Sequence, residues 1–341
     1  MRLMPDLTLT FAMTPYDRVM PLINGEVKPV GITLEYMGMP GAVPQVFYDQ
    51  IKYQRYDLSE FSMSSFLVER AHGWPYRLLP VFHNRNFSYT SIVISRASGI
   101  RQGHPEDLKG RRFAVMDYQQ TAALWIRGVL KHEFGVEASD MEWFQTRGPN
   151  LSHMGASGSQ VQEGIKLNYA DADFGRLFLR GDIDASMGYG APSTSGIDRA
   201  KVDISDNPDF CLLFPDPKAE GVRFFNKTGI FPPHHTTAIR ESILETHAWV
   251  AMSLMDAFEK AKRIAIERVR ETPPTLLVFG PQFLREVREV MGDDPFVYGV
   301  RANKKAIDFI QQISVEQGLT KARQPLDEIF PESVITAEER L

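Results

Sequence analysis

The sequence has little of several features that often reveal a protein's class. It contains one cysteine in 341 residues, so an internal disulfide is excluded. No apolar run reaches the roughly 18 residues that a membrane-spanning helix needs. The first residues also lack the apolar stretch of a secretory signal. These absences predict a cytoplasmic protein that contacts no membrane.

Basic tracts are absent as well. Lys and Arg total 38 against 43 Asp and Glu, which gives a net charge of −5 and predicts no nucleic-acid partner. An anionic ligand would therefore need a local group of arginine, histidine and backbone N–H donors. The proportions of apolar and charged residues, 43% and 24%, are those of a soluble globular protein.

Several well-known catalytic and cofactor motifs are missing from the chain. There is no GxGxxG opening a helix, no GxxxxGK[ST], no HExxH and no zinc-type spacing of Cys and His. The glycine-rich stretches do not form a nucleophile elbow either. Dinucleotide-binding, P-loop, zinc-protease and α/β-hydrolase interpretations are therefore unsupported.

Short β-rich segments alternate with helical patterns along the sequence. Residues 7–12 alternate as a strand does, and residues 122–134 have the apolar spacing of a helix that ends at Gly135. The alternation predicts an α/β protein with mainly parallel sheets. Ligands bind beyond the carboxyl ends of such strands. The predicted rims of the site are residues 14–16, 59–62 and 118–121.

Six short motifs, in order along the chain, resemble those of one family. They are DLSEFS at 57–62, PVF at 80–82 followed by Arg85 and Phe87, YQQTAALWIRG at 118–128, GDIDA at 181–185, TGIFP at 228–232 followed by His235, and YG at 298–299 followed by Asn303. Each motif alone is a weak signal, but six in order are specific. On these residues the chain resembles the 4,5-dihydroxyphthalate decarboxylase family over residues 7–330.

The resemblance implies two Rossmann-like α/β lobes joined by two crossover strands, the type II periplasmic-binding-protein fold, with the ligand between the lobes. Lobe I would comprise residues 1–95 and 215–341, and lobe II residues 96–214. It also implies a cytoplasmic decarboxylase of a hydroxylated aromatic carboxylic acid. Family analogy further predicts a homo-oligomer, for which the sequence shows no interface.

Decarboxylating such an acid requires a group that holds the carboxylate, groups that stabilise charge on the phenol oxygen, and a proton donor; it requires no redox cofactor. Arg85 is the candidate for the carboxylate, because guanidinium binds it through two hydrogen bonds. His235 is the candidate proton donor, and Glu60 the candidate for the phenol. Arg85 and His235 must then face each other across one gap, although a hinge salt bridge is the alternative for Arg85.

Further residues are predicted to bind substrate around these three groups. They are Tyr16, Ser62, Asn86, Tyr89, Gln119, Gln120, Thr121, Trp125, His234 and Tyr298. Glu60, His234 and His235 could instead ligate a divalent metal, although their spacing gives no specific support. The remaining histidines outside these motifs are interpreted as loop or surface residues; they are His72, His104, His132, His153 and His247.

The chain departs from the family at one place. It has Phe87-Ser88-Tyr89-Thr90 where the family has Phe-Arg-His-Ser. One cation and one imidazole are lost, which leaves open whether phthalate itself is the substrate. A receptor of the same fold that binds a small carboxylate or aromatic acid without catalysis is the alternative function, because fold alone does not separate the two.

Overall fold

The computed structural model describes residues 7–40, 42–188 and 201–339. Its strands form two sheets, of five and six strands. The first sheet contains β1 (Leu7–Ala12), β2 (Ile32–Tyr36), β3 (Leu58–Ser62), β4 (Tyr76–Arg85) and β11 (Pro233–Arg240), in the order β2-β1-β3-β11-β4. The second contains β5 (Val93–Ser95), β6 (Arg112–Val115), β7 (Glu142–Gln145), β8 (Lys166–Tyr169), β9 (Ala185–Ser186) and β10 (Phe210–Leu212), in the order β10-β5-β9-β6-β7-β8.

Helices cover these sheets. They are α1 (Met20–Ile23), α2 (Ala42–Tyr53), α3 (Met63–Ala71), α4 (Thr121–Phe134), α5 (His153–Ser157), α6 (Phe174–Arg180), α7 (Pro217–Thr228), α8 (Glu241–Thr246), α9 (Trp249–Glu271), α10 (Gly280–Met291), α11 (Lys304–Glu316), α12 (Leu326–Ile329) and α13 (Glu332–Glu339). Within the described ranges, none of these helices has both the length and the apolar character needed to cross a membrane.

Strand direction determines where side chains gather. In the first sheet β1 runs parallel to β2 and β3, while β11 runs antiparallel to β3 and β4. The carboxyl ends of β1, β3 and β4 therefore share one edge with the amino end of β11, where His235 pairs with Ser62. In the second sheet β6 and β7 are parallel, so their carboxyl ends also share an edge.

The chain passes between the sheets twice in the described residues, after β4 and before β11. This arrangement confirms the predicted two-lobed α/β fold. The lobe boundaries stay predictions, with one correction. Strand β5 falls inside the segment 1–95 that was predicted for lobe I, but it hydrogen-bonds to β9 and β10 in the second sheet.

Helix α4 agrees with its prediction. Its residues from Thr121 to Leu130 are all buried, and it ends at Gly135, whose φ of 65° is accessible to glycine without steric cost. Arg127 lies within this helix and is structural: its guanidinium donates to the Tyr118 carbonyl at 2.8 Å and lies 3.6 Å from the centre of the Tyr118 ring.

The segment around Glu60 differs from its prediction. The sequence pattern predicts a helix over residues 61–70 with Ser59 or Ser62 near its start; in the structure the helix begins at Met63, directly after Ser62, and residues 58–62 form strand β3. Ser62 caps the helix by accepting a hydrogen bond from the Ser65 N–H. Every residue of β3 is buried because the strand lies between β1 and β11, and such a strand lacks the alternation that identifies strands by sequence.

Candidate active site

The candidate site forms where the carboxyl edges of the two sheets meet. Tyr16 follows β1, Glu60 lies in β3, and His235 lies at the amino end of β11. From the other lobe, Thr121 begins α4, and its Oγ1 lies 2.8 Å from Ser62 Oγ. The three rims predicted from the sequence are thus brought together at one seam.

Glu60 is the centre of this seam. Its side chain is fully buried, and Oε1 accepts hydrogen bonds from the Tyr16 hydroxyl at 2.8 Å and from His235 Nδ1 at 2.6 Å. Oε2 accepts the Thr14 backbone N–H at 3.0 Å. Burial raises the pKa of Glu60, but the hydrogen bond and charge of His235 and the other donors lower it more, to about 2. Glu60 is therefore a carboxylate at neutral pH.

His235 is held on one side and open on the other. Nδ1 donates to Glu60, while 14% of the side chain remains exposed and Nε2 has no hydrogen-bond partner among the described residues. The edge of the ring contacts Phe47, with the centroids 5.0 Å apart. A carboxylate that anchors one imidazole nitrogen and leaves the other free is suited to moving a proton.

Tyr16 and His83 lie beside the Glu60–His235 pair, Tyr16 in direct contact with Glu60 and His83 stacked on Tyr16. Burial and the neighbouring Glu60 raise the pKa of Tyr16, so its hydroxyl stays protonated and donates. The His83 ring is stacked parallel to Tyr16, with centroids 6.0 Å apart, and its Nε2 lies 2.6 Å from Thr237 Oγ1. Burial lowers the pKa of His83 to about 3, so this imidazole is neutral.

The second lobe contributes a buried polar cluster of Arg147, Asp117 and His153. Arg147 follows β7, and its Nη1 lies 3.3 Å from Asp117 Oδ2, which also accepts the His153 N–H at 2.6 Å. His153 Nδ1 is 2.7 Å from Ser65 Oγ on α3, a contact that joins the two lobes. The Phe47 ring contacts both imidazoles, with centroids 5.6 Å from His153 and 5.0 Å from His235. Phe47 therefore connects this cluster to the Glu60–His235 pair.

The structure corrects the interpretation of His153. The sequence assigned this residue to a loop or to the surface, but it is buried, with only 2% of its surface exposed. Residues 153–157 form the short helix α5 within a Gly/Ser-rich stretch, and Ser152 caps it by accepting the Gly155 N–H. The serine cap directly before His153 is the signal that could have identified this helix.

Two helices begin at the seam. The amino ends of α3 and α4 meet at Ser62 and Thr121, and the Ser64 N–H donates to Thr121 Oγ1 at 3.0 Å. In α4, which has no side-chain cap among the described residues, the first N–H groups and the positive end of the dipole are available to an anion; in α3, the Ser64 and Ser65 N–H groups already donate to Thr121 Oγ1 and Ser62 Oγ. Ser64 Oγ and Gln119 Nε2 are buried there and have no hydrogen-bond partner in the described part of the chain. The junction therefore offers a carboxylate several donors, next to the strand pair that holds His235.

Arg85 has hydrogen-bond acceptors within the protein. Its guanidinium donates to the carbonyls of Phe231 at 2.9 Å and Val297 at 3.0 Å, and to Asn303 Oδ1. Burial lowers the pKa of Arg85 to about 10, so it remains a cation. The C-terminal segment that carries Val297 and Asn303 supplies two of these acceptors. No hydrogen bond joins Arg85 to His235 within the described residues, and the gap that they were expected to share stays a prediction.

Four more predicted residues have structural partners at the crossovers. His234 Nε2 donates to the Asn86 carbonyl at 3.1 Å, and burial lowers the pKa of His234 to about 3. The Tyr89 hydroxyl donates to the Glu220 carboxylate at 2.8 Å. Trp125 Nε1 donates to the Pro233 carbonyl at 2.9 Å, which ties α4 to β11. These contacts hold the crossovers in place.

Tyr298 and Gln120 complete the predicted set. The Tyr298 ring is buried under the Lys262 ammonium, 4.1 Å from its centre, in the core of the first lobe. Gln120 is the residue before α4 and is partly exposed at the seam. Within the described ranges no group of three or more His, Cys, Asp or Glu residues could hold a metal. His234 does not join Glu60 and His235, as the metal alternative requires.

The fold and the position of the site define a class, the two-lobed α/β proteins of the periplasmic-binding-protein type. The sulfonate-binding protein SsuA of Escherichia coli is 12% identical and superposes with a TM-score of 0.53 over 95% of this chain and 91% of its own. The alkanesulfonate-binding SsuA of Xanthomonas axonopodis pv. citri, bound to MOPS, is 14% identical with a TM-score of 0.51 over 96% and 98%. These likenesses show the fold alone.

Two curated relatives identify the family. A 4,5-dihydroxyphthalate decarboxylase of Comamonas testosteroni is 33% identical over 339 residues, 97% of this chain and 98% of its own. One of Pseudomonas putida is 32% identical over 221 residues, 63% and 80% of the two chains. No family model matches the chain. The chain belongs to the 4,5-dihydroxyphthalate decarboxylase family, and the predicted enzyme class, a carboxy-lyase, is confirmed by this kinship.

Proposed function

We propose that this protein decarboxylates a hydroxylated aromatic acid at the seam between its lobes, and that the Glu60–His235 pair delivers the proton. The proposal depends on one observation: a buried carboxylate anchors the His235 imidazole at Nδ1, and Nε2 makes no hydrogen bond to the part of the chain that the structure describes. The names of the curated relatives support the reaction class and a hydroxylated, carboxylated ring as substrate.

In the proposed reaction a new C–H bond replaces the C–C bond between the ring and the carboxylate. Electrons from the phenol oxygen enter the ring and raise the basicity of the carbon that bears the carboxylate. His235 Nε2 protonates that carbon, a C–H bond forms, and the C–C bond to the carboxylate breaks. CO2 leaves, and the electrons of the broken bond restore the aromatic ring. Water then reprotonates His235, so the cycle consumes one proton and requires no redox cofactor.

Glu60 supports this step through its charge. A carboxylate at 2.6 Å from Nδ1 stabilises the protonated imidazole and fixes the ring orientation. Tyr16 and the Thr14 N–H hold the carboxylate in place through their own hydrogen bonds. The proton donor is therefore pre-organised before substrate binds.

The junction of α3 and α4 is the proposed position of the substrate carboxylate. Thr121 Oγ1, Ser62 Oγ and Gln119 Nε2 lie there with the first turn of α4, whose N–H groups favour an anion. This assignment replaces Arg85 as the anion-binding group. Phe47, between the two imidazoles, offers an apolar surface to the ring.

The departure at Ser88 and Tyr89 bears on which acid is decarboxylated. Both residues lie in the first crossover: Ser88 Oγ is 3.4 Å from His234 Nε2, and Tyr89 bonds to Glu220. The proposed reaction therefore does not use these two residues, and the substrate panel below determines how many ring carboxylates the substrate carries. Kinship with enzymes, rather than with exported receptors, supports a cytoplasmic location for the reaction.

A substrate panel tests the proposal. The purified chain is incubated with 4,5-dihydroxyphthalate, 3,4-dihydroxybenzoate and 4-hydroxybenzoate, with phthalate as the control that lacks the phenol, and CO2 release is measured. We expect CO2 from at least one hydroxylated acid and none from phthalate. Tight binding by calorimetry without CO2 from any acid would instead establish the receptor alternative and refute the decarboxylase.

A further inference from the structure

Arg127 is a buried cation that no carboxylate of the described chain contacts. It lies in α4 with 1% of its surface exposed. Two of its nitrogens make structural contacts to neutral acceptors, Nε to Gln317 Oε1 at 2.5 Å and Nη2 to the Tyr118 carbonyl at 2.8 Å. Nη1 is buried and has no hydrogen-bond partner among residues 7–40, 42–188 and 201–339. Because a buried charge without a counterion is costly, Arg127 is suited to bind an anion from outside the chain.

Asp117 does not take the place of that anion. Burial lowers the pKa of Arg127, and the negative charge of Asp117 opposes this shift only in part. The Asp117 carboxylate is engaged elsewhere: it accepts hydrogen bonds from Arg147 Nη1 at 3.3 Å and from the His153 N–H at 2.6 Å. The charge of Arg127 is therefore compensated only at a distance.

Tyr118 provides a second unsatisfied donor at the same place. The Arg127 guanidinium lies 3.6 Å from the centre of the Tyr118 ring. The ring is fully buried, and its hydroxyl has no hydrogen-bond partner within the part of the chain that the structure describes. Most buried polar groups in folded proteins have a partner. Two unsatisfied donors on two residues in contact therefore point to a ligand.

A cavity of about 210 Å³ borders both groups. Tyr118, Arg127 and Gln317 line it, together with Lys131, which lies one helical turn after Arg127 in α4. Its other walls come from residues 137–139, 162–163 and 165 of the second sheet's lobe and from the end of α11. A water molecule needs about 10–15 Å³ of cavity, so a polyatomic ion fits here. The cavity is separate from the candidate active site, since neither Glu60, Thr121 nor His235 lines it.

We propose that this cavity binds a small monovalent carboxylate, with its oxygens on Arg127 Nη1 and the Tyr118 hydroxyl. The planar guanidinium matches the planar CO2 group of such an ion. Bicarbonate, which forms from released CO2, and a free organic acid such as formate share this chemistry. The ligand joins α4 to the end of α11, because Arg127 already contacts Gln317.

The charges at the mouth of the cavity favour a single negative charge on the ligand. Lys131 Nζ lies 3.2 Å from Glu137 and 3.6 Å from Glu316, so both of these carboxylates stand beside the one lysine of the cavity. Glu163 is a third carboxylate on the cavity wall. Like charges repel, and the repulsion grows with the charge of the ligand. A dianion such as phosphate or a phthalate is therefore disfavoured.

Melting curves of the full chain in formate test the site. They use the Thr121→Val variant, because the proposed position of the substrate carboxylate at Thr121 would itself bind formate. Its melting temperature should rise with formate at constant ionic strength. Adding Tyr118→Phe removes one hydrogen bond to the anion and should raise the apparent Kd roughly tenfold. Tyr56→Phe is the matched control, since the Tyr56 hydroxyl is also buried with no partner in the described chain, and should leave Kd unchanged. Equal Kd values for the Tyr118 and Tyr56 variants, or no rise for either, overturn the proposal.

Crystals of the wild-type protein grown with formate give a readout that needs neither a variant nor turnover, so its failure is distinct from a failure of the proposed decarboxylation. We expect a planar ion on Arg127 Nη1 and the Tyr118 hydroxyl, and water alone in the cavity overturns the proposal. Melting curves in bicarbonate then separate the two sources. Tighter binding of bicarbonate than of formate assigns the site to the hydrated product, and the reverse assigns it to an organic acid. Phosphate that binds as tightly as formate overturns the assignment to a monovalent ion.

Discussion

Replacing Glu60 by glutamine should separate the charge of this residue from its shape. The buried carboxylate accepts three hydrogen bonds, from the Thr14 N–H, the Tyr16 hydroxyl and His235 Nδ1. Glutamine keeps the size but turns one oxygen into an NH2 group that faces a donor. It also removes the negative charge that stabilises a protonated His235. The substitution should therefore impair catalysis more than folding.

The magnitudes follow from these contacts. Hydrogen bonds to a charged group contribute about 1.5–3 kcal/mol each, and one of the three must be lost, so we expect Glu60→Gln to lower the free energy of unfolding by about that amount. A general acid contributes ~10²–10⁴-fold to a rate, so kcat should fall at least ~10²-fold. KM should change little, because Glu60 does not contact the proposed carboxylate position.

Steady-state CO2 release and urea unfolding of the same preparation measure both effects. Glu69→Gln is the matched control, since Glu69 is also a buried glutamate but lies outside the Glu60–His235 pair. Its kcat should equal that of the wild type. A Glu60→Gln enzyme with wild-type kcat, or one whose loss of rate is matched by the Glu69 control, would refute the assigned role of the carboxylate.

Four further outcomes are expected. Tyr16→Phe removes one donor to Glu60 and should lower kcat about tenfold in the CO2 assay; an unchanged rate would exclude Tyr16 from supporting the pair. Thr121→Val should raise KM roughly tenfold at unchanged kcat, and an unchanged KM would contradict the carboxylate position. Arg85→Met should lower the melting temperature by calorimetry while KM stays within ~2-fold, whereas a large rise in KM would restore Arg85 as the anion-binding group. Burial raises the pKa of Glu69 to about 7 from an ordinary 4.5. The unfolded chain therefore loses this proton more readily than the folded protein, and the free energy of unfolding falls as pH rises from 4.5 through about 7. Glu69→Gln should then be more stable than the wild type in urea unfolding at alkaline pH but not in acid, and equal stability at both would contradict this burial effect.

Local patterns predicted much of the fold. The apolar spacing of α4 and its terminal Gly135 determined that helix closely, because its signals lie within the helix itself. The three rims also met as expected, since parallel strands place their carboxyl ends at one edge. Strand β3 was predicted as a helix start, because burial on both faces removes the alternation that marks a strand.

Contacts distant in sequence explain why the site was only partly predicted. Glu60 and His235 were both proposed, and β11 brings them together. Arg85 was assigned to the substrate because sequence cannot show that carbonyls of Phe231 and Val297 occupy its guanidinium. His153 was dismissed, since its buried position depends on packing against Ser65 in the other lobe.

The most direct test of the proposed proton transfer is CO2 release by His235→Ala in a single turnover. We expect a rate at least ~10²-fold below that of the wild type, with substrate affinity nearly unchanged, because the variant loses the proton donor and keeps the helix junction that holds the carboxylate. Release of CO2 by His235→Ala at the wild-type rate would show that His235 is not the proton donor.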